Sequence, residues 1–334
     1  MLIGISGSLC SGKNEVAKYL GHLGFTRIYL GSETGILSPS VSAEDLGLNE
    51  AESESRQKAN KDLVFSKIDD LLQYVTKRWM DNFVLGGIPD MDTLDALAHR
   101  PFFLHIAVEA PVSLRWRRVR EKTGSQVSLE EFVRQSDEHL YEHGLAAVMS
   151  RAKLTVVNNC ETLEMLYVKL GNLNLEDQSR LRPSWDTYFM HLANLASLRS
   201  NCMKRQVGCV LVRDKRVVAT GYNGTPRGLV NCNEGGCPRC NSGNGSGAAL
   251  GTCLCLHAEE NALLEAGRDR VGNGAILYCN TCPCLTCSIK ITQCGIKEVV
   301  YNQSYSMDDH SAMVLKRGGV ILRQYSPPSQ GLVG

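Results

Sequence analysis

Apolar residues in the first half of the chain form short continuous runs separated by segments with helical spacing. Four runs predict buried strands, at residues 1–5, 82–86, 102–108 and 154–157. Helical spacing predicts helices at 15–20 and 163–170, and a basic helix follows Pro111. Strands that alternate with helices are typical of a parallel sheet. We therefore predict an α/β domain over residues 1–171.

The second half shows a different order of elements. A polar segment at 172–183 predicts a linker, followed by a second α/β domain at 184–326 and a tail at 327–334. This domain begins with a helix and a strand pair, at 185–199, 207–212 and 217–222. Helices are predicted to begin at His257 and Pro283. Three further strands are predicted at 275–279, 298–301 and 320–322.

Two segments show neither the continuous apolar runs of strands nor the apolar spacing of helices. Residues 42–61 are charged and rich in serine, which predicts a loop or a solvated helix. Residues 231–252 form an insertion rich in Gly, Cys and Asn, with too few apolar residues to build a core of their own.

The composition indicates a globular protein. The chain has 334 residues, 43% hydrophobic and 21% charged, which excludes a disordered or fibrous protein. The net charge of +1 gives no reason to expect wholesale capture of nucleic acid. No apolar run is long enough to span a bilayer, and no basic segment of a secretory signal follows Met1. We expect a cytoplasmic protein without membrane or nucleic-acid partners; nuclear entry is left open.

The cysteines are concentrated in the second half. Of the 14, only Cys10 and Cys160 precede residue 200, and the others lie between Cys202 and Cys294. An intracellular protein rarely keeps structural disulfides. Cysteines separated by two residues in such a protein therefore indicate a metal site.

One constellation predicts a catalytic zinc centre. His257 and the pair Cys284 and Cys287 supply three ligands, which leaves a fourth position for water. Glu259 lies two residues after His257, where a carboxylate can move protons without binding the ion. H-x-E…P-C-x-x-C is the known signature of zinc-dependent nucleobase deaminases. The alternative is a structural zinc site with a nearby glutamate.

The insertion predicts a second, structural zinc. Its expected ligands are Cys232, Cys237, Cys240 and one of Cys253 or Cys255. The alternative is a set of buried free thiols. The remaining cysteines of this half are expected in the core: Cys202, Cys209, Cys279, Cys282 and Cys294.

Residues 183–325 resemble the deoxycytidylate (dCMP) deaminases, of the fungal type. Four segments carry the resemblance: Arg199-Ser200, Val207-Gly-Cys-Val210, Gly221-Tyr-Asn-Gly-Thr-Pro-Arg-Gly228 and Cys255-Leu-His-Ala-Glu-Glu-Asn-Ala262. The resemblance implies an α/β/α sandwich with a mixed sheet. It also implies hydrolysis of dCMP to dUMP and ammonia by zinc-activated water, in which Glu259 moves the protons. The product would supply thymidylate synthesis.

The resemblance also assigns binding residues. Asn223 is expected to bind the nucleotide, and Ser200 and Lys204 its phosphate; the alternative for these last two is a solvated helix end. Gly224 and Arg227 are expected to bind effectors. The resemblance implies a homo-oligomer, favouring a hexamer, that dCTP activates and dTTP inhibits, with Mg²⁺ accompanying the triphosphate.

A glycine loop near the N-terminus carries a phosphate-binding motif. Gly7, Gly12 and Lys13 fit G-x-x-x-x-G-K after a strand and before a helix, but Asn14 stands where Ser or Thr should bind Mg²⁺. With the Arg-rich helix after Pro111, this resembles nucleoside-monophosphate kinases, with a degenerate site. Nucleotide binding and a retained fold without ligand both stay open.

Three other interpretations compete with a dCMP deaminase. They are a deaminase of polynucleotides, a zinc-stabilised scaffold fused to a degenerate kinase, and a bifunctional kinase–deaminase. The balanced charge and the segment around Asn223 argue against the first.

Overall fold

The computed structural model describes residues 1–31, 62–124, 127–243, 249–304, 309–329 and 331–333. The charged segment predicted at 42–61 lies outside these ranges. The chain divides into two compact units, Met1–Arg182 with Ser329–Gly334, and Pro183–Pro328. Within the described ranges, none of the helices is both long and apolar enough to cross a membrane.

The described residues form strands and helices with the following bounds. The strands are β1 (Leu2–Gly7), β2 (Thr26–Leu30), β3 (Leu63–Phe65), β4 (Phe83–Leu85), β5 (Phe103–Glu109), β6 (Leu154–Val157), β7 (Gly208–Arg213), β8 (Arg216–Tyr222), β9 (Ile276–Thr281), β10 (Glu298–Gln303), β11 (Ile321–Gln324) and β12 (Gly331–Val333). The helices are α1 (Lys13–His22), α2 (Ile68–Lys77), α3 (Met91–Ala98), α4 (Val112–Thr123), α5 (Leu129–Asp137), α6 (Leu145–Ser150), α7 (Leu163–Leu173), α8 (Trp185–Ser197), α9 (Pro238–Asn241), α10 (Ala258–Val271), α11 (Leu285–Cys294) and α12 (Asp309–Arg317).

The first unit contains a parallel sheet of seven strands in the order β12-β6-β5-β1-β4-β2-β3. Separate apolar clusters pack on its two faces, one with α1 and α7 and the other with α2 and α3. The predicted parallel α/β architecture is confirmed. The apolar pattern did not predict β2 or β3, and it did not place β12, from the predicted tail, beside β6.

The second unit contains a five-stranded mixed sheet in the order β11-β10-β9-β7-β8. β7 runs antiparallel to β8 and β9, whereas β9, β10 and β11 are parallel. Helix α8 packs through Phe189 and Met190 on one face. Helices α10, α11 and α12 cover the other face through residues such as Ala262, Ile291 and Leu315. This arrangement confirms the predicted sandwich.

Two glycines bring helices close to this sheet. A Cβ at Gly208 would lie 2.0 Å from the carbonyl oxygen of Ala193 in α8. A Cβ at Gly221 would lie 2.1 Å from the carbonyl oxygen of Ala258, at the start of α10. Because these neighbours are backbone atoms, a side chain at either position would force helix and strand apart.

We predict that Gly221→Ala destabilises the second unit, because the added methyl group meets the backbone of α10. Overpacking of this kind costs about 1–3 kcal/mol, measurable as a lower unfolding temperature. Gly251→Ala, where the added Cβ has no neighbour within 4 Å, is the matched control. Equal unfolding temperatures for the two variants would contradict the close approach.

Candidate active site

Two helices of the second unit begin next to each other. His257 is the residue before α10, and its backbone N–H donates to the Glu260 carboxylate at 3.0 Å. Cys284 is the residue before α11, and Cys287 lies in the first turn of that helix. An ion pair between Glu260 and Lys290 links the two helices. The positive ends of both helices therefore face the same point, where they favour negatively charged ligands.

The side chains at this point form a three-ligand metal site. Nδ1 of His257 lies 3.3 Å from Sγ of Cys284 and 3.3 Å from Sγ of Cys287. A tetrahedral zinc ion with bonds of about 2.0–2.3 Å to nitrogen and sulfur requires separations of about 3.5 Å between such ligands. The donor set therefore fits zinc. Within the described residues, no fourth His, Cys, Asp or Glu joins this group.

Hydrogen bonds among the three predicted ligands shift their pKa values. Hydrogen bonds with Cys287, His257 and Thr286 lower the pKa of Cys284 to about 3, although burial opposes this. The hydrogen bond with Cys284 raises the pKa of His257 to about 9. The hydrogen bond with Cys284 and burial raise the pKa of Cys287. Since a metal must displace these protons, zinc affinity is expected to fall in acid.

Glu259 lies in the first turn of α10 and is only 4% exposed. Burial raises the pKa of its carboxyl group to about 7. Its charge in turn contributes to raising the pKa of Cys282 and Cys287. Glu259 is therefore next to the metal ligands without belonging to their set. A carboxyl group with a pKa near neutrality can both accept and release a proton.

The predicted nucleotide-binding residues Ser200 and Asn223 contact each other. The Ser200 hydroxyl lies 2.7 Å from Oδ1 of Asn223, which also accepts a bond from the backbone N–H of Val207 at 2.8 Å. Nδ2 of Asn223 donates to the Arg205 carbonyl at 2.7 Å. These bonds hold the segment after α8, including the exposed Lys204, against the end of β8. Sequence reasoning did not identify this network.

The predicted effector segment contains Gly224 and Arg227. The backbone N–H of Gly224 donates to the Leu256 carbonyl at 3.2 Å, and that of Thr225 donates to Oδ1 of Asn201 at 3.2 Å. These two amides are engaged within the chain. Arg227 is 95% exposed, and its guanidinium lies 3.8 Å from the Glu265 carboxylate.

The cysteines of the insertion are arranged differently from the expected set. The structure brings together two groups of four, Cys202-Cys232-Cys240-Cys255 and Cys237-Cys240-Cys253-Cys255. Cys232 and Cys237, expected in one site, lie in different groups. Cys253 and Cys255, expected as alternatives, both belong to the second group. Cys202, expected in the core, joins this cluster because the segment after α8 folds back onto the insertion. Cys209, Cys279 and Cys294 do pack in or against the apolar core, and Cys282 is buried.

Known proteins share the sequence of this site. Residues 183–303 match the family described as the cytidine and deoxycytidylate deaminase zinc-binding region. The deoxycytidylate deaminase of Schizosaccharomyces pombe is 51% identical over 334 residues, covering 99% of this chain and 99% of the relative. The chain belongs to the deoxycytidylate deaminase family. It is accordingly a hydrolytic deaminase.

Two further similarities involve this family. The deoxycytidylate deaminase of Saccharomyces cerevisiae is 48% identical over 273 residues, covering 77% of this chain and 86% of the relative. The crystal structure of dCMP deaminase from the cyanophage S-TIM5 in complex with dCMP and dUMP is 32% identical, with a TM-score of 0.36. It covers 43% of this chain and 98% of that chain.

The S. pombe family member matches the first unit as well as the second, so the glycine loop lies within the shared length. Gly12 has a φ of 100° and Lys13 begins α1, where burial lowers the pKa of the ammonium group. Arg118 of α4 donates to the Ser11 carbonyl at 3.2 Å, and Asn158 does so at 2.8 Å. These bonds tie the loop to α4 and to the residue after β6. Nucleotide binding there stays a prediction.

We predict that Glu259→Gln lowers deaminase turnover by at least about 100-fold, because general acid–base catalysis contributes about that much or more. Its zinc content should stay unchanged, since Glu259 is outside the ligand set. Turnover is measured as ammonia release and zinc by elemental analysis. Asp269→Asn, an exposed acid beyond the break in α10 at Gly267, is the control. Near-normal turnover in Glu259→Gln would exclude the proton-transfer role.

Proposed function

We propose that this protein converts dCMP to dUMP and ammonia by zinc-dependent hydrolysis. The observation that carries the proposal is the three-ligand set of His257, Cys284 and Cys287 beside the enclosed, non-ligating Glu259. The names of the fungal relatives support dCMP as the substrate. The product would supply thymidylate synthesis.

The metal site and the carboxyl group have separate tasks. His257, Cys284 and Cys287 would hold a zinc ion, which when bound would supply a water nucleophile at neutral pH. Glu259 accepts a proton from the water as the water oxygen bonds to C4 of the cytosine ring, and it delivers that proton to N3. It then passes the proton of the new C4 hydroxyl to the amino group on C4, so that the C–N bond breaks, ammonia leaves and the C4 carbonyl of dUMP forms. The burial that raises the pKa of Glu259 to about 7 suits both transfers.

The Ser200–Asn223 network is proposed to position the nucleotide. Both side chains fix the segment that carries Lys204, and a cation there can meet the 5′-phosphate. Asn223 is 6% exposed, and we propose that it contributes to nucleotide binding. Because the segment follows α8 directly, its position depends on the packing of that helix against the sheet.

Regulation by nucleotides is proposed from the family resemblance. dCTP would activate and dTTP inhibit, each with Mg²⁺, in a homo-oligomer that we propose to be a hexamer in the cytoplasm. Arg227 is the cation of this segment that is open to a phosphate from solution, being 95% exposed. Gly224 would contribute by setting the path of the loop, because its N–H is bonded to Leu256.

We predict that the purified protein releases ammonia from dCMP, that it is much less active on CMP and cytidine, and that dCTP raises its rate at low dCMP concentration. The physical reason is that the 5′-phosphate and the deoxyribose contribute binding energy that the smaller or hydroxylated analogues lack. Product formation is followed by the absorbance change of cytosine to uracil, with Glu259→Gln as the blank.

Two results would contradict the proposal. Activity confined to an RNA stem-loop would favour a polynucleotide deaminase. Equal turnover of cytidine and dCMP would show that no phosphate contact contributes to recognition.

A further inference from the structure

Six cysteines from separate segments meet beside the active site, and we call them the cysteine cluster: Cys202, Cys232, Cys237, Cys240, Cys253 and Cys255. They come from the segment after α8, from the insertion around α9, and from the stretch that leads into His257. All six are free thiols. Since the sequence of the insertion has few apolar residues, metal coordination is a physical way to hold these segments together.

The sulfur–sulfur distances in the cluster are those of zinc–thiolate tetrahedra. Sγ of Cys240 lies 3.9 Å from Cys202, 3.8 Å from Cys253 and 3.9 Å from Cys255. Cys237 and Cys253 are 4.0 Å apart. Zinc–sulfur bonds of about 2.3 Å in a tetrahedron give edges of about 3.8 Å. A disulfide would instead need its sulfurs about 2.05 Å apart.

A single tetrahedral ion cannot use the whole cluster. One ion takes four thiolates, whereas the structure presents two four-cysteine groups that share Cys240 and Cys255. Two tetrahedra that share one edge use all six sulfurs and leave none over. The shared edge is the Cys240–Cys255 pair, at 3.9 Å.

We propose that the cysteine cluster binds two zinc ions in a binuclear centre, with Cys240 and Cys255 as bridging thiolates. Cys202 and Cys232 complete one tetrahedron, and Cys237 and Cys253 complete the other. This centre is additional to the catalytic zinc, and it replaces the single structural zinc expected from the spacing of the cysteines.

The polar groups around the cluster support thiolates at the four non-bridging positions. Each of these sulfurs accepts a hydrogen bond from an N–H group. The backbone N–H groups of Lys204 and Arg205 donate to Cys202, and that of Met203 donates to Cys232. The backbone N–H of Leu254 donates to Cys237, and the Arg239 guanidinium donates to Cys253. Six thiolates and two Zn²⁺ ions carry two net negative charges. Arg239, only 9% exposed and 3.8 Å from Cys253, offsets part of that charge.

The binuclear centre would position the substrate side of the active site. Cys202 lies two residues after Ser200, and its backbone N–H donates to the Ser200 hydroxyl at 3.2 Å. Cys255 lies two residues before His257, and Leu256 between them is bonded to Gly224. The centre therefore links the Ser200–Asn223 network to the start of α10. Its residues are positioning residues and do not contact the reacting atoms.

The test is the zinc content of the full-length protein, measured per chain by elemental analysis together with its unfolding temperature. We expect three zinc ions in the wild type and in Cys294→Ser, a cysteine outside both metal sites. Cys284→Ser should retain two, because it loses only the catalytic ion. Cys202→Ser should lose one cluster ion and, through Ser200, raise KM for dCMP more than it lowers kcat.

A measurement on the wild type keeps the inference testable if cluster variants fail to fold. Cadmium-113 exchanged into the protein should give two cluster resonances split by coupling through the bridging thiolates. Two zinc ions per chain in the wild type, or two cluster resonances without mutual coupling, would overturn the binuclear centre. Because zinc content and cadmium spectra do not depend on turnover, neither result is affected if dCMP is not the substrate.

Discussion

The meeting of two helix N-termini is the constraint on which the active site depends. α10 and α11 both begin at the zinc-ligand set, so two positive dipole ends face each other across a few ångströms. Negative charge between the two helix ends stabilises such an arrangement. The sulfurs of Cys284 and Cys287 lie there, hydrogen bonds lower the pKa of Cys284 to about 3, and Nδ1 of His257 lies 3.3 Å from both sulfurs. Gly221 allows α10 to lie close enough to the sheet for this meeting.

The same packing encloses a carboxyl group that a purely structural site would not need. Burying an ionised carboxylate is costly, and burial therefore raises the pKa of Glu259 to about 7. Ligand geometry alone would suit a structural zinc site. A buried, proton-exchanging acid beside three ligands is instead typical of a catalytic one.

The residues that we propose to position the nucleotide lie in the loops after α8 and β8. Ser200, Asn223 and Arg205 are held by hydrogen bonds between loops, not by apolar packing. The cysteine cluster lies immediately behind these loops, with Cys202 and Cys255 each two residues from a site residue. Metal coordination can order such segments where burial of apolar area cannot. The proposed metal centre would therefore order the loops that we propose to recognise the nucleotide.

The sequence alone determined what depends on neighbouring residues. Short apolar runs predicted β1, β4, β5 and β6, and the His-x-Glu and Pro-Cys-x-x-Cys spacings predicted the group of His257, Cys284 and Cys287 that the structure brings together. Contacts between distant segments were decided only by the tertiary structure. They include the pairing of β12 with β6, the bond from Gly224 to Leu256, and the position of Cys202 beside Cys240. Local spacing sets which side chains share one helix or strand, whereas the packing of whole elements sets which strands pair and which sulfurs are shared.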